Sequence, residues 1–337
     1  MPATLITSQT GIRQDLSDLI AVVDAKSCPV VSTAKKGSEP INPTTQWQAD
    51  AFNSTTLPAG VLSNTDITAS DYIDNAANRA ILSARVQKFR EVPSVDDLAQ
   101  NISEVAGVGK KKEMARAVTK SLEQIKRSME AAFCSDQESA EQSGVNPYKT
   151  RGLGAWIQNG AQTDLPVAAG YRTPTASINT TVTASLTETN VQDLLQSIYL
   201  QTGKVQTYSL IAGPALKRAF TNFTRTQFAS TNVAAAIRTL NSNAEDKKFT
   251  NTVDIFEGDF GTLELIPSLF LAAGSASAVQ LARGYVLDMD MIELRYNRKP
   301  RFQELEDRGG GPRGIVDAIC ALCVKSPLGL GKFAATA

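Results

Sequence analysis

The stretch from Lys110 to Phe133, KKKEMARAVTKSLEQIKRSMEAAF, constrains the fold more than any other part of the chain. Met114, Val118, Leu122, Ile125, Met129 and Phe133 recur at steps of four and three, one stripe along an α-helix. Arg116, Lys120, Glu123, Lys126, Arg127 and Glu130 fall on the opposite face. The stretch has no Pro and no Gly, and besides Ile125 only two β-branched residues lie inside it, so nothing interrupts the helix. At 1.5 Å per residue it is a rod of roughly 35 Å. Segments of β character precede and follow it. It reads as a spine for later strands, and an ordinary long helix of an α+β enzyme is the plainer alternative.

Several function classes are narrowed by composition. The chain has 337 residues, enough for two or three compact units. Its 34 basic and 34 acidic side chains balance, so any DNA contact is local or non-specific. No run of about 18 apolar residues appears, which argues against a membrane span. The start, MPATLITSQTGIRQDL, has no charged n-region before an apolar core, and reads as an intracellular protein or one released without secretion. There is no histidine, which excludes Ser–His and Cys–His catalysis and leaves carboxylate, lysine or tyrosine chemistry. Of Cys28, Cys134, Cys320 and Cys323, the last two form a C-x-x-C. With no second pair and no histidine to complete a zinc site, and with IVDAICALCV reading as a buried strand, they are expected to be core thiols. No cofactor is expected.

Taken in order, residues 1–43 read as an arm, with a short amphipathic helix at RQDLSDLIAVVDA followed by an extended, Pro- and Ser-rich SCPVVSTAKKGSEPINP. TTQWQADAF has strand-like alternation anchored by Trp47, a polar stretch follows, and RAILSARVQKFREV resumes the alternation. Strand, long polar tip, strand is the pattern of an extended hairpin over 44–92, and so long an insertion is usually functional or mobile. GVGKKK superficially suggests a phosphate loop, but Glu104 stands at the first glycine position and Lys111 at the hydroxyl position, so that reading is rejected. Lys110, Lys111 and Lys112 oppose the helix macrodipole; they face DNA, a neighbour or, most plainly, solvent. Residues 161–186 read as linker-like. TETNVQDLLQSIYLQTG is a helix closed by Gly203, TYSLIAG a buried strand, PALKRAFTNF a helix opened by Pro214, and TVDIFEGDFGTLELIPS a hairpin around Gly258-Asp259. GYVLDMDMIELRYNR and GIVDAICALCVKS read as two final strands joined by a charged loop, KPRFQELEDRGGGPRG.

In this order the fragments DLSDLIAVVDAKSCPVVSTA, TTQWQADAF, IKRSMEAAF, RGLGAWI, YSLIAGPALKRAF, VDIFEGDFGTLELIPS, YVLDMDMIELRY and CVKSPLGLGK resemble a tailed-bacteriophage major capsid protein. The resemblance is co-linear over nearly the whole chain. It implies an α+β, Hong Kong 97-like fold: an N-terminal arm (1–43), an extended loop (44–92), a peripheral domain (93–174) with a spine helix at 110–134, an axial domain (175–283), and peripheral return strands with the charged loop (284–337). It further implies hexamers and pentamers closing into an icosahedral shell around double-stranded DNA, assembled in the host cytoplasm with portal and scaffolding proteins, and with a decoration or cement protein as an optional partner. Some members cross-link a loop lysine to an asparagine. Here 55–78 contains no lysine, and Lys88 sits on the return strand, so a non-covalent shell is expected.

On this reading Met114, Val118, Leu122, Ile125 and Met129 are the spine-helix core. Trp47 and Phe52 anchor the loop base and, with Arg298, Arg301, Glu304, Glu306 and Asp307, are candidates for intersubunit contacts. An encapsulin-like compartment is the second reading. A soluble carboxylate-dependent enzyme, with Asp288 and Asp290 on one face of a strand holding a metal, is the third.

Overall fold

The structure, a computed structural model, describes residues 27–53, 57, 60–101, 112–226, 253–272 and 278–334. The early amphipathic helix, Lys110 and Lys111 lie outside these residues. By internal contacts the described chain divides into two compact units. One contains Arg90–Ile125 and Pro300–Asp317; the other contains Ser27–Phe89, Lys126–Lys299 and the chain from Ala318 onward.

The second unit is built around a six-stranded sheet. Its strands are β5 (Ile178–Asn179), β6 (Thr207–Ala212), β7 (Ile255–Gly258), β8 (Gly261–Pro267), β9 (Gly284–Leu287) and β12 (Gly331–Phe333), in the order β5-β12-β9-β6-β8-β7. β6 runs parallel to β8 and antiparallel to β9, and β12 is antiparallel to β9 and parallel to β5. Helices α5 (Glu188–Thr202) and α6 (Pro214–Thr226) bury their apolar stripes with this sheet in one cluster. Val191, Leu194, Leu195 and Ile198 come from α5, Leu216, Ala219 and Phe220 from α6, and Tyr208, Leu210, Leu263, Leu265, Val286 and Phe333 from the strands. Each fully buried large side chain contributes about 1.5–3 kcal/mol. Local chemistry sets the boundaries. Thr187 and Asn190 form a reciprocal capping box at the start of α5, and Gly203 ends it in the left-handed region at φ +65°. Pro214 occupies the first turn of α6. β7 and β8 form the predicted hairpin, with Gly258 opposite Gly261.

The same unit holds α1 (Pro29–Thr33), α4 (Leu153–Trp156), α7 (Ala278–Leu281) and a two-stranded ribbon of β2 (Thr44–Ala49) and β3 (Ala80–Arg85). The ribbon is antiparallel, with Thr44 opposite Arg85 and Ala49 opposite Ala80. A four-stranded sheet has the order β1-β10-β11-β4, from β1 (Lys35–Lys36), β10 (Ile292–Leu305), β11 (Arg313–Val324) and β4 (Gln87–Glu91). In the unit containing 90–125, α2 (Asp97–Asn101) precedes the spine helix α3 (Glu113–Phe133), which continues into the other unit, and residues 93–95 run along 312–314: Val95 N donates to Pro312 O and Gly314 N to Pro93 O.

Five expectations change. α1 is helical where the sequence reads as extended, because a distant side chain caps it. RAILSARVQKFREV is two strands, broken at Val86, that join different sheets. GYVLDMDMIELRYNR is likewise two strands: Asp288 accepts from Asp290 N and turns Met289–Met291 into a 3₁₀ helix between them. Most of the charged loop is strand, since β10 continues to Leu305 and only 306–312 connect it to β11. Pro300 is tolerated there because β1 pairs only with Glu293 and Leu294, leaving the rest of β10 without that neighbour. Finally, 161–186 is packed rather than a linker, with Val167, Tyr171, Thr173 and Ser177 buried; Thr173 Oγ1 donates to Pro327 O at 2.8 Å.

Candidate assembly surfaces

The β2–β3 hairpin is braced at its base and bare at its tip. At the base, Trp47 Nε1 donates to Lys325 O at 3.2 Å, and the ring lies 6.0 Å from Trp156. The Arg295 guanidinium sits 5.5 Å over the Trp47 ring and donates to Thr45 Oγ1 at 2.9 Å. Trp47 is therefore engaged within its own chain. Its neighbour Arg85, at the end of β3, makes a bidentate pair with Asp164 at 2.7 and 3.0 Å, reaches Glu141 at 3.0 Å, and donates to Thr44 Oγ1 at 3.1 Å. The Arg85 hydrogen bond holds the Asp164 carboxyl below the usual range. Nearby Arg151 is fully buried over the Trp156 ring at 4.6 Å and donates to Leu165 O at 3.0 Å; burial pulls its pKa down.

Beyond the base, Tyr171 donates to Asn78 O at 2.7 Å and Arg79 pairs with Asp50 at 3.4 Å. The tip then carries Leu57, Val61, Leu62, Ile67, Tyr72 and Ile73, all exposed. Phe52 does not pack on the base: its ring is wholly exposed, at the rim of a cleft of about 390 Å³ shared with Tyr171, Lys204, Asp288, Met291 and Leu328. These large exposed apolar side chains on one loop make it a candidate contact surface.

On β10 and its turn, Arg298 is half-buried, while Arg301, Glu304, Glu306 and Asp307 are exposed. Arg301 approaches Asp317 at 3.9 Å, and Asp307 accepts from Gly309 N at 2.8 Å. The turn is fixed by Gly309 and Gly311, at φ +86° and +92°, a region that L side chains rarely adopt. Lys112 is exposed just before α3.

On the spine helix Ile125, Met129 and Phe133 are fully buried, and Met114, Val118 and Leu122 half-buried. Glu130 reverses the polar-face expectation: it is fully buried and accepts from Val30 N at 2.9 Å and Val31 N at 2.8 Å, capping α1. Burial pushes its carboxyl pKa up, against those two hydrogen bonds. Sequence reasoning missed Glu130, Arg85 and Arg151; Glu130 showed only as a charge beside an apolar stripe, ordinary on a helix surface, and Arg85 at a strand end and Arg151 in a connection carried no local signal.

The four cysteines are free thiols. Cys320 and Cys323 lie buried in β11, and burial raises the Cys323 thiol to about 12. Asp288 and Asp290 do not form a strand-face pair. Asp288 caps the 3₁₀ helix and accepts from Gln206 at 2.7 Å, while Asp290 pairs with Lys35 at 2.9 Å. Among the described residues no group of three or more Cys, Asp or Glu side chains could hold a metal ion, and no helix is long and apolar enough to cross a membrane.

This arrangement of sheets, spine helix and hairpin recurs in shell-forming proteins of the Hong Kong 97-like class. The capsid of a native GTA particle superposes with a TM-score of 0.60 at 10% identity, covering 99% of each chain. A Gordonia phage Cozz structure gives 0.57 at 11% identity, again with 99% of each chain. The holo-SrpI encapsulin complex from Synechococcus elongatus PCC 7942 gives 0.54 at 10% identity, covering 99% of this chain and 96% of that one. At such identities the likeness shows the fold alone. The sequence goes further: the family model for the SU10 major capsid protein matches residues 3–337, so the chain belongs to that family of tailed-phage major capsid proteins. No curated protein sequence matches it.

Proposed function

We propose that this capsid protein assembles as hexamers and pentamers into an icosahedral shell enclosing double-stranded DNA, with the hairpin tip covered by a neighbouring subunit. The observation that carries the proposal is the exposure of Leu57, Val61, Leu62, Ile67, Tyr72 and Ile73 on a loop whose base is braced by Arg85 and Trp47. Apolar surface of this kind contributes about 25 cal/mol per Å² once removed from water. Phe52 is the tip-proximal anchor for that contact, and Trp47 acts on it indirectly by fixing the ribbon. Arg298, Arg301, Glu304, Glu306 and Asp307 supply charged contacts between capsomers. Exposed pairs are worth only about 0–1 kcal/mol each, so they act by repetition. Lys110, Lys111 and Lys112 approach DNA or a neighbour. Portal and scaffolding proteins, and optionally a decoration protein, complete a particle assembled in the host cytoplasm.

The shell is held without covalent cross-links. The described tip residues include no lysine, and Lys88 lies on β4 rather than on the tip. On a denaturing gel of purified particles the protein should therefore run as a single chain of 36.0 kDa; a ladder of multiples would refute this.

Electron microscopy of the purified protein, with its mass in solution, tests the main reading. Closed polyhedra or free capsomers support it, and a uniform monomer or dimer, even with scaffold supplied, overturns it. Arg301→Glu should yield malformed shells or none; normal shells would remove Arg301 from the capsomer contacts. An encapsulin-like compartment is the second reading, favoured by an encapsulin among the fold neighbours at a similar TM-score. Packaged protein rather than nucleic acid inside the shell would select it.

A further inference from the structure

α1 has almost nothing of its own to hold it. Five residues are far below the roughly 12–15 at which an isolated helix is even marginal in water. Its N-cap, Cys28, makes no side-chain capping bond, and Pro29 has no amide hydrogen to offer. The next two amides are met from about a hundred residues away, by the two oxygens of Glu130 on α3. The thiol of Cys134, the residue just after α3, donates to the same Oε1 at 3.7 Å. Burying a carboxylate is unfavourable unless it is hydrogen-bonded. An apolar residue at 130 would pack beside Met129 without that penalty, so the amides are what the carboxylate serves.

After α1, Lys35 and Lys36 pair with Glu293 and Leu294, which holds the chain on the C-terminal side of the helix. Pro29 and Val30 are also buried, so undocking the segment exposes both.

We propose that Glu130 is a latch for residues 28–33. Docked, it folds 29–33 as α1. Released, 28–33 loses its helix while the β1–β10 pairing stays. This rests on the shell reading: one sequence placed in both hexamers and pentamers meets unlike surroundings. An element whose helical state hangs on one carboxylate can change without altering the body.

Hydrogen exchange by mass spectrometry on the full-length chain tests it, comparing a peptide over 28–34 with one over β6. In Glu130→Ala, exchange over 28–34 should rise about tenfold or more while β6 stays protected, because the amides of Val30 and Val31 lose their acceptor oxygens. The same variant, observed by electron microscopy, should give shells of altered size or open capsomer sheets. Unchanged exchange over 28–34 overturns the latch. Parallel loss of protection in β6 also overturns it, by showing Glu130 to be a general support of the fold; Glu130→Gln, which keeps one acceptor oxygen and should give a smaller local rise, repeats the comparison in a milder variant. Local release with normal shells overturns the assembly role. Wild-type protein that builds no shell defeats the shell reading, and the exchange comparison still decides whether the latch exists.

Discussion

Removing Arg85 is the most direct way to ask whether the hairpin is held rigidly. Its side chain is 9% exposed, and it commits three nitrogens to Asp164, Glu141 and Thr44. Bonds to an ionised partner contribute about 1.5–3 kcal/mol each when sheltered, and the pair to Asp164 is bidentate. Asp164 is 25% exposed, so water recovers part of the loss. Glu141 is 64% exposed, and its share is no more than the 0–1 kcal/mol of a surface pair. Arg85→Ala is therefore expected to destabilise the subunit by about 2–4 kcal/mol. The two tryptophans of the chain, Trp47 and Trp156, lie 6.0 Å apart, so urea unfolding of dissociated subunits followed by tryptophan fluorescence reads this region directly. Asp164→Leu should cost a similar amount, and Arg85→Ala with Asp164→Leu should cost clearly less than the two single changes together. A loss below about 1 kcal/mol, or strict additivity, would refute the brace. The pH dependence has a definite sign. The folded Asp164 carboxyl is depressed, so the pair's contribution is complete above the ordinary carboxylate pKa of about 3.9 and disappears as pH falls through the folded value.

Glu130 should behave in the opposite sense. Burial raises its folded pKa above the unfolded value, so its contribution to stability is greatest in acid and declines as pH rises from the unfolded value through the folded one. Glu130→Gln should flatten that dependence, as measured by urea midpoints across a pH series. Gly311→Ala should destabilise the unit containing 90–125 by about 2 kcal/mol or more, since φ is +92° and a Cβ would meet Val95 O at 2.4 Å and Asp97 N at 2.5 Å. Exchange protection at Val95 and Gly314 would fall first; unchanged protection would show that the turn can shift. Cys320 and Cys323 should resist alkylation in the native chain and react after denaturation, as buried thiols do.

Much of the fold was legible where short-range chemistry decides it. The stripe from Met114 to Phe133 required a helix, Thr187 and Gly203 bounded α5, Pro214 opened α6, and Gly258-Asp259 turned β7 into β8. The core character of Cys320 and Cys323 followed from the absence of histidine and from the apolar run around them. Boundaries that depend on partners were not legible. Val86 separates two strands because their neighbours belong to different sheets, and Pro300 sits in a strand because the adjoining edge there is not paired with β1. The long insertion between β2 and β3 could be read from the sequence, but neither the exposure of its apolar side chains nor the brace behind it could.

The sequence by itself determined α3, α5, α6, the β7–β8 hairpin and the family, since periodicity, caps and turn residues act over a few positions. Tertiary structure decided which charges are structural. Arg85, Glu130 and Arg151 look like surface residues until Asp164, the amides of Val30 and Val31, and the face of Trp156 are brought to them from 79, about 100 and 5 positions away. A buried charge is tolerable only with partners in place, and for Arg85 and Glu130 those partners are fixed by folding rather than by spacing along the chain.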